Sequence, residues 1–527
     1  MRSVVLSGFM ATGKSTVGRL VAGALGLPFV DTDAVLAEEA GRPVGELFAA
    51  EGEARFRDRE ARTILPLLSD GVARVLSFGG GSMTIPRVRH AALEAATVIT
   101  LTASPETIGA RAVSASERPN LGAASPVERA RDLLALRREA YGECHASIAT
   151  DGRAPDEIAA RVALLAKRDA VAIPLGLRSY AVELGDARPE HLTAALEELA
   201  PSSLVTVTDE NVVTMRAAWL DAALAPLALR ETRVVLRPGE AFKSIASISR
   251  IWDAALEAGV DREAVVVAFG GGVVGDLAGF AASTLLRGVR CVQVPTTLLS
   301  MVDSSVGGKT GFDHAAGKNL LGAFFQPSRV VIDLEQLKTL PPRERRAGLA
   351  EVVKIALVRD APLLALLEAN ADAIACGDRG VLRDVVRASV VAKMRVVRED
   401  EHETGVRALL NLGHTLGHAL ESHGGYSRWL HGEAVAIGTV LEIRAAERLG
   451  LTPAGTSEEA AALFERFGLP TGVDPEAIAA AWPYVMSDKK RTRSAVKLPV
   501  VTARGEGRVE RVELDTLRAA LGPDSGT

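Results

Sequence analysis

Short apolar runs alternate with longer helical repeats along much of this chain. Residues 4–6, 204–208 and 264–269 are runs of strand-forming residues, and each leads into a polar or glycine-rich turn and then into hydrophobic positions at helical spacing. Alternation of this kind predicts parallel sheets whose strands are joined by crossover helices. From residue 342 to 520 the pattern becomes mainly helical. We therefore predict two α/β parts followed by a mainly helical part.

These changes of pattern divide the 527 residues into three predicted domains, in keeping with about 150 residues per domain. The first covers residues 1–168, the second 169–341 and the third 342–527. No long low-complexity tether separates them, and we expect the first join between residues 168 and 176. Each part is long enough to bury a core of its own.

Charge and composition narrow the class of partner. The 61 basic and 66 acidic residues give a net charge of −5 and form no basic run, so we expect no nucleic-acid surface. The apolar stretch 264–286 contains an aspartate and five glycines, which makes it too polar and too broken to span a bilayer. We expect small-molecule substrates and no membrane association.

The cysteines and the first residues indicate a cellular compartment. Cys144, Cys291 and Cys376 lie far apart in the sequence, which argues against a disulfide framework or a thiolate metal site. Residues 1–8 run directly into a strand-like pattern without the features of a signal peptide. We therefore expect a cytoplasmic location.

A phosphate-binding motif follows the first strand. Residues 8–15 read Gly-Phe-Met-Ala-Thr-Gly-Lys-Ser and match G-x-x-x-x-G-K-[ST] between a strand and a helix. In such loops backbone N–H groups surround phosphate oxygens, the lysine reaches the outer phosphates and the hydroxyl ligates Mg²⁺. The motif predicts a site for ATP or GTP with Mg²⁺ that is formed by Gly8, Gly13, Lys14, Ser15 and Thr16.

Two carboxylates end the next predicted strand, at Asp31 and Asp33. After a P-loop, acids in this position lie beside the nucleotide, where one can hold Mg²⁺ and the other can accept a proton from a substrate hydroxyl. A solvated Asp-x-Asp turn is the alternative. We predict that one of Asp31 and Asp33 is a metal ligand and that the other, together with Lys14, is catalytic.

Further motifs follow in order: Phe56-Arg57, a triple glycine at 79–81, Arg118-Pro119 and a late Arg-x-x-x-Tyr. With the P-loop and Asp-x-Asp, they make residues 1 to about 165 resemble shikimate kinase. The resemblance implies phosphorylation of shikimate by ATP with Mg²⁺, with Arg118 closing over ATP. It places Asp33 near the hydroxyl that is phosphorylated, which leaves Asp31 as the metal ligand. A guanidinium pairs well with a substrate carboxylate. Shikimate would be held by Asp33, Arg57, Gly80 and Arg137, with Arg138 as the alternative to Arg137.

The second α/β part contains a glycine-rich loop. Residues 270–275 satisfy G-x-G-x-x-G after a predicted strand, but the acidic residue expected about twenty positions later is missing, because 291–295 read Cys-Val-Gln-Val-Pro. We predict a dinucleotide site that differs from an ordinary Rossmann site. Glycine-flanked Lys309 and Lys318 are typical of anion binders, although they could also belong to a solvated surface loop.

Four of the nine histidines lie between residues 411 and 433. His414 and His418 are four apart, so a helix would place both rings on one face. A catalytic zinc site uses three nitrogen or oxygen ligands and leaves one position open, and Glu351 is a candidate for the carboxylate. The alternative is a group of interior histidines without a metal.

The second half carries a longer series of motifs. Gly-Gly-Gly-Val-x-x-Asp, Pro-Thr-Thr, Gly-Gly-Lys, Gly-Lys-Asn, Ala-Glu-Val-x-Lys, Asn-x-Gly-His-Thr-x-Gly-His, His-Gly-Glu and Asp-Lys-Lys occur in this order. Residues from about 175 to 520 therefore resemble 3-dehydroquinate synthase. The resemblance implies a Rossmann-like α/β NAD-binding domain plus a mainly α-helical metal-binding domain, fused here to an α/β P-loop kinase domain with a parallel sheet.

The same resemblance implies a set of site residues. Zn²⁺ or Co²⁺ would be ligated by Glu351, His414 and His431. NAD⁺ would be held by Asp209, Asn211, Glu240, Lys243, Gly271, Gly272, Val273, Asp276, Thr296, Thr297, Lys318 and Asn319. Substrate contacts or proton transfer would fall to Arg287, Asp303, Lys309, Lys354, Lys393, Arg407, Asn411, His418 and Lys489, with Lys490 as the alternative to Lys489.

The implied reaction is the cyclisation of 3-deoxy-D-arabino-heptulosonate 7-phosphate to 3-dehydroquinate with release of phosphate, and NAD⁺ is regenerated in each turnover. The resemblance also implies a homodimer through the synthase half. The two implied activities belong to one pathway but are not consecutive, so we expect independent active sites.

Two other interpretations stay open. A metal-dependent polyol or glycerol-phosphate dehydrogenase would share the glycine loop and the histidines, but it gives no reason for the basic residues at 287, 309, 318, 354 and 407. A kinase-like half without activity, serving regulation or assembly, is opposed by the intact Lys14, Ser15, Asp31 and Asp33.

Overall fold

The structure is a computed structural model that describes residues 1–113, 126–315, 317–487, 491–492 and 495–522. The chain forms two compact units, Met1–Glu183 and Leu184–Thr527. Arg118, Lys489 and Lys490 lie outside the described residues, so the roles predicted for them stay predictions.

The first unit is built on a five-stranded parallel sheet of order β2-β3-β1-β4-β5. Its strands are β1 Ser3–Gly8, β2 Phe29–Asp31, β3 Val75–Ser77, β4 Ala96–Thr102 and β5 Ala146–Ala149. Its helices are α1 Lys14–Leu25, α2 Thr32–Ala40, α3 Val44–Ser69, α4 Pro86–Ala95, α5 Pro105–Val113, α6 Pro126–Gly142 and α7 Pro155–Ala166.

The central strand β1 is apolar because both of its faces are covered. Val4 and Leu6 contact the core cluster that includes α1 and α7, whereas Val5 belongs to the cluster that includes α3 and α4. A strand buried on two sides needs a continuous apolar run rather than an alternating one. Because β1, β2 and β3 run parallel to one another, their carboxyl ends share one edge of the sheet, where the P-loop and Asp31 are found.

Two strands, β6 Asp169–Ile173 and β7 Tyr180–Gly185, lead into the second unit. A parallel set of order β14-β11-β10-β8-β9 follows. Its strands are β8 Leu204–Asp209, β9 Glu231–Leu236, β10 Val265–Gly270, β11 Arg290–Pro295 and β14 Arg329–Asp333. The accompanying helices are α8 Glu190–Leu199, α9 Glu210–Leu224, α10 Ile245–Glu257 and α11 Gly272–Thr284, and an antiparallel hairpin is formed by β12 Lys309–His314 and β13 Gly317–Phe324.

The remainder of the second unit is mainly helical. Its helices are α12 Pro342–Arg359, α13 Ala361–Ala369, α14 Ala371–Cys376, α15 Arg379–Glu399, α16 His414–His423, α17 His431–Arg448, α18 Thr456–Arg466, α19 Pro475–Ser487 and α20 Leu514–Ala520. A small antiparallel sheet is formed by β15 Arg491–Thr492, β16 Ala495–Ala503 and β17 Glu506–Glu513. The two α/β parts and the helical part confirm the predicted fold class, while the predicted domain boundaries stay predictions.

Helices α12, α16 and α17 pack closely in the centre of this helical part. An added Cβ at Gly432 would overlap the Ala347 carbonyl oxygen of α12, and one at Gly438 would overlap the Gly413 carbonyl oxygen before α16. Glycine at these two positions lets the backbones approach more closely than a side chain would allow. The close approach brings Glu351, His414 and His431 from three helices to one place. Within the described ranges, none of the helices is both long and apolar enough to cross a membrane.

Candidate active sites

The P-loop of the first unit has the conformation that phosphate binding needs. Gly13 has φ +92°, and Gly8 has φ +129° with no room for a Cβ beside the Leu101 carbonyl oxygen. Lys14 Nζ donates to the Gly8 and Phe9 carbonyl oxygens at 2.9 and 2.8 Å. Helix α1 begins at Lys14 without a side-chain cap, so its first N–H groups are available to an anion. Thr16 is exposed in the first turn.

The structure brings the two predicted magnesium ligands together. Ser15 Oγ donates to Asp31 Oδ2 at 2.5 Å. Ser77 Oγ lies 3.3 Å from Ser15 Oγ, and sequence analysis missed it although it ends the neighbouring strand β3. Mg²⁺ prefers oxygen ligands of this kind beside phosphates. The oxygen atoms present therefore fit the ion that the P-loop implies.

Asp33 is half-buried and has both acidic and basic neighbours. Burial, with a further contribution from Glu60, raises the pKa of Asp33 to about 6, against the opposing effect of Lys14. A Cβ at Gly79 would fall 2.5 Å from Asp33 Oδ1 and 2.8 Å from Glu60 Oε1, so the glycine gives these carboxylates space. A carboxylate with a pKa in this range can accept a proton near neutral pH.

The residues predicted to hold a carboxylate lie along the triple glycine. Arg137 Nη1 donates to the Gly80 carbonyl oxygen at 2.9 Å, and the Tyr141 hydroxyl donates to the same oxygen. Arg57 lies against Gly81, where an added Cβ would meet its guanidinium. Arg137 is buried and Arg138 is exposed, which favours Arg137 of the two alternatives.

Glu60 is a residue of this site that sequence analysis did not find. It is buried, and it accepts from Arg57 Nη1 at 2.7 Å and from Ser82 Oγ at 2.5 Å. Its spacing of three from Arg57 on α3 was the available signal. Glu60 orients the Arg57 guanidinium.

The second unit contains a cavity of ≈ 1170 Å³ between its α/β strands and its helices. This volume exceeds that of most single small-molecule sites, so it can hold a dinucleotide and a further substrate. The predicted residues that line it are Asp209, Asn211, Glu240, Lys243, Gly271, Gly272, Val273, Asp276, Thr296, Thr297, Asp303, Lys309, Lys318, Asn319, Lys354, Lys393, Arg407, Asn411, His414, His418 and His431. Arg287 is not among the residues that line this cavity, and its predicted role stays a prediction.

The α/β end of the cavity fits a dinucleotide. Helix α11 begins at Gly272, and its cap residue Gly271 contributes no side chain, so the first N–H groups face the cavity unblocked. A Cβ at Gly272 would lie 3.1 Å from Ser304 Oγ. Lys243 Nζ pairs with Asp276 at 2.6 Å and donates to Asn319 Oδ1 at 2.6 Å. These contacts join the glycine loop to the hairpin of β12 and β13.

The three predicted metal ligands lie together at the helical end of the cavity, where His414 and His431 line its wall. Glu351 Oε1 lies 3.5 Å from His414 Nε2 and 3.3 Å from His431 Nε2. One ligand atom from each residue falls within 4.8 Å of the others. Glu351 Oε1 is buried and has no hydrogen-bond partner among the described residues. An orphaned carboxylate oxygen that faces two imidazole nitrogens is the arrangement that a Zn²⁺ or Co²⁺ ion satisfies.

The charge of Glu351 is stabilised from two sides. Burial opposes its ionisation, but Lys354 and His431 hold the pKa of this carboxyl well below its usual range. Its second oxygen, Oε2, accepts from Lys354 Nζ. Nδ1 of His414 faces the Leu412 carbonyl oxygen at 3.2 Å, which fixes its Nε2 toward Glu351.

His418 and Glu421 stand beside this group. The His418 ring centroid lies 5.1 Å from that of His414 and 5.8 Å from that of His431. Glu421, which sequence analysis did not single out, lies 3.1 Å from His431 Nδ1. Burial raises the pKa of Glu421, but His431 and Lys318 outweigh this effect and hold the pKa at about 2. Glu421 is therefore ionised at neutral pH.

A basic cluster lines the cavity between its two ends. Lys393 Nζ pairs with Asp303 Oδ1 at 2.7 Å, and the fully buried Arg407 donates through Nη2 to the Gly307 carbonyl oxygen at 3.0 Å. Burial lowers the pKa of Lys393 to about 8, despite the opposing effect of Asp303. Such a cluster is suited to phosphate and carboxylate groups.

Glu403 contacts two further residues of the cavity wall, one of them basic. It accepts from Lys309 Nζ and, at 2.6 Å, from Asn411 Nδ2. Sequence analysis did not find Glu403, because a glutamate in a loop between helices has no local signature. It neutralises one cation and orients one amide at the cavity wall.

These two units define a class of enzyme: a P-loop kinase unit joined to an α/β-plus-helical unit with a dinucleotide loop and a three-ligand metal group. The family model of shikimate kinase matches residues 10–166. The models of the 3-dehydroquinate synthase N-terminal and C-terminal regions match residues 233–347 and 348–491. The chain belongs to the 3-dehydroquinate synthase family, and its first unit contains a shikimate kinase domain.

Individual relatives agree with this assignment. The 3-dehydroquinate synthase of Pseudomonas fluorescens (strain SBW25) is 44% identical over 355 residues, which are 67% of this chain and 96% of that protein. The corresponding enzyme of Acinetobacter baylyi is 42% identical over 351 residues, 66% of this chain and 96% of that protein. Both alignments span nearly the whole relative.

Two solved structures share the fold of the second unit. A 2-epi-5-epi-valiolone synthase from Streptomyces hygroscopicus with NAD⁺ and Zn²⁺ bound is 31% identical, with a TM-score of 0.57, over 65% of this chain and 95% of that chain. A 2-deoxy-scyllo-inosose synthase complexed with carbaglucose-6-phosphate, NAD⁺ and Co²⁺ is 24% identical, with a TM-score of 0.62, over 67% of this chain and 99% of that chain. The second likeness concerns the fold alone.

Proposed function

We propose that this chain is a bifunctional enzyme. Its first unit phosphorylates shikimate with ATP and Mg²⁺, and its second unit converts 3-deoxy-D-arabino-heptulosonate 7-phosphate to 3-dehydroquinate with NAD⁺ and a divalent metal ion. The observation that carries the second activity is the convergence of Glu351 with His414 and His431, because these two histidines line the same cavity as the glycine loop. Small molecules are the substrates of both units.

In the second unit, Glu351, His414 and His431 would hold the metal ion, and the start of α11 with Lys243 and Asp276 would hold the dinucleotide. When bound, NAD⁺ and the ion supply reversible oxidation of a substrate alcohol and polarisation of its oxygen. Such an oxidation would acidify the neighbouring C–H bond of the substrate, which would favour loss of the substrate phosphate.

Side chains of the cavity bind the anionic groups of the substrate and transfer protons. Lys309, Lys393 and Arg407 present cations to the substrate phosphate and carboxylate at the cavity wall. The His418 ring centroid lies 5.1 Å from that of His414, and His418 forms a second group of possible ligands with Glu421 and His431. We assign it the transfer of protons at the substrate. The basic cluster favours this function over a polyol dehydrogenase, whose uncharged substrate gives such cations no partner. Release of phosphate without net NADH distinguishes it from a glycerol-phosphate dehydrogenase.

In the first unit, the P-loop and Lys14 would hold the phosphates of ATP, and Ser15 with Asp31 would hold Mg²⁺. Arg57 and Arg137, placed along the triple glycine, would hold the shikimate carboxylate. Asp33 accepts the proton of the attacking hydroxyl, as its pKa of about 6 permits.

The synthase activity is tested by adding the heptulosonate phosphate to the metal- and NAD⁺-loaded chain. The expected result is phosphate release with no net NADH, and His414→Ala removes it while His423→Ala does not. His423 is a matched control because it lies on the same helix outside the cavity. Stoichiometric NADH formed on a polyol without phosphate release would instead establish the dehydrogenase.

The kinase activity is tested by following ADP formation with and without shikimate. We expect shikimate-dependent ADP, and Asp33→Asn should lower kcat by about 10²–10⁴-fold. Asp58→Asn is the matched control, because Asp58 pairs with Arg87 on the surface. A chain that forms no ADP with shikimate would indicate a regulatory or assembly role for this unit.

The family resemblance further predicts a homodimer through the synthase half and a cytoplasmic location. Analytical ultracentrifugation of the purified chain tests the first of these predictions. A monomer at micromolar concentration would contradict it.

A further inference from the structure

Glu421 has two carboxylate oxygens with different partners. It lies on α16, seven residues after His414, and is 4% exposed. Its Oε2 is 3.1 Å from His431 Nδ1, and its Oε1 accepts from Lys318 Nζ at 3.4 Å. A buried carboxylate held at both oxygens has a fixed orientation.

The contact with His431 determines which ring nitrogen faces the metal group. A carboxylate is only an acceptor, so it favours a proton on Nδ1 and leaves the Nε2 lone pair directed to Glu351 Oε1, 3.3 Å away. The Leu412 carbonyl oxygen does the same for His414 at 3.2 Å. Ring orientation by an acceptor at the second nitrogen is a general determinant of metal affinity.

The contact with Lys318 constrains the other oxygen. Lys318 lies on the hairpin strand β13, and its Nζ is also 3.2 Å from Glu240 Oε1 and 4.3 Å from the centroid of the Tyr426 ring. The ammonium group and the protonated Nδ1 are both donors, so the residue between them must supply two acceptors. A glutamate does this, whereas a glutamine supplies one acceptor and turns an N–H toward the other donor.

We propose that Glu421 is a positioning residue of the metal centre, which fixes the His431 ring with one oxygen while Lys318 fixes the other. This inference rests on the proposed function, because it takes Glu351, His414 and His431 as the metal ligands. It adds a residue that is not one of these three ligands, and it makes metal affinity depend on a lysine of the hairpin.

The test is a double-mutant cycle on the full chain, read as the dissociation constant of Co²⁺ and the visible absorption spectrum of the Co²⁺-loaded protein. Glu421→Gln should weaken Co²⁺ binding by about 10–100-fold and change the spectrum. Glu447→Gln is the matched control, since Glu447 accepts two hydrogen bonds from Ser457. It should leave both readouts unchanged.

Lys318→Met completes the cycle. Without the ammonium group, the amide introduced by Glu421→Gln no longer lies between two donors, because its oxygen can then turn to His431. Lys318→Met should therefore recover Co²⁺ affinity in the Glu421→Gln background by a larger factor than it changes affinity in the wild-type background. Equal factors in both backgrounds would overturn the proposal.

Two further outcomes separate this proposal from the proposed function. If the wild-type chain binds Co²⁺ and Glu421→Gln binds it within about threefold as well, the positioning role is wrong and the metal site stands. If the wild-type chain binds no Co²⁺, both fail. Neutron diffraction of the metal-loaded wild-type chain gives a check that needs no variant: a deuteron on His431 Nδ1 directed at Glu421 supports the proposal, and its absence contradicts it.

Discussion

The carboxylate of Glu442, a residue of α17, accepts the backbone N–H of Gly413 at 2.8 Å, immediately before α16 begins. Its other oxygen accepts the N–H of Leu416 at 3.0 Å. Gly413 has no side chain with which to cap α16, so the neighbouring helix supplies the cap. The helix that begins with His431 thereby fixes the helix that carries His414 and His418.

Replacement of Glu442 should lower the stability of the second unit. Glu442 is fully buried, and Glu442→Ala leaves two buried N–H groups without an acceptor, so we expect the free energy of unfolding to fall by about 2–4 kcal/mol. All four tryptophans, at 219, 252, 429 and 482, belong to the second unit. Tryptophan fluorescence during urea denaturation of the metal-free chain therefore reports this unit.

The control for this prediction is Glu447→Ala on the same helix. Glu447 is half-buried and accepts from Ser457 near the start of α18, so its loss should cost about 1 kcal/mol. An equal loss of unfolding free energy in the two variants would contradict the larger contribution expected from the Glu442 cap.

Loss of the charge on Lys393 should lower synthase activity at alkaline pH. Its pKa is lowered to about 8, mainly by burial, although Asp303 opposes this shift. Below that pH the side chain is charged and can pair with a substrate anion, and above it the charge is lost. We expect kcat/KM for phosphate release to fall as pH rises through about 8. Arg is always charged, so Lys393→Arg should move this limit to higher pH, even if its overall rate is lower.

The measurement is a pH profile of kcat/KM for both proteins, with NAD⁺ and metal saturating at each pH. Kinase turnover of the same samples serves as the control for general loss of structure at high pH. An alkaline limit that stays in place in Lys393→Arg would assign the titration to another group.

The two activities should be separable within the intact chain. Lys14 and His431 belong to different compact units with separate cores. Lys14→Ala should abolish shikimate-dependent ADP formation and leave phosphate release within about twofold, and His431→Ala should do the reverse; each variant is the control for the other. Loss of both activities in either variant would mean that the sites are not independent.

The parts of the sites that could be predicted are those with a local signature. The P-loop, the Asp31–Asp33 pair and the spacing of His414 and His418 are short patterns whose chemistry depends on neighbours in sequence. The fold class followed in the same way, because strand and helix periods are local. Packing then placed Glu351 beside histidines more than sixty positions away, as the family resemblance implied.

Apart from Glu60, which lies three positions from Arg57 on α3, the residues that were missed have no such signature. Glu60, Glu403, Glu421 and Glu442 are glutamates at ordinary positions, and their roles depend on what the fold sets opposite each of them. Glu442 acts on a residue 29 positions away, and Glu421 is held by a lysine 103 positions away. Partners at that distance are determined by tertiary packing, which a single sequence does not state.

The central claim, that one divalent ion is bound by three residues from three helices, is tested most directly by anomalous diffraction at the zinc edge from crystals of the zinc-loaded chain. The account predicts one peak in the second unit, about 2.0–2.2 Å from a Glu351 oxygen and from Nε2 of His414 and of His431. A zinc-loaded crystal in which the peak lies away from these three atoms, or in which these atoms bind none, would contradict it.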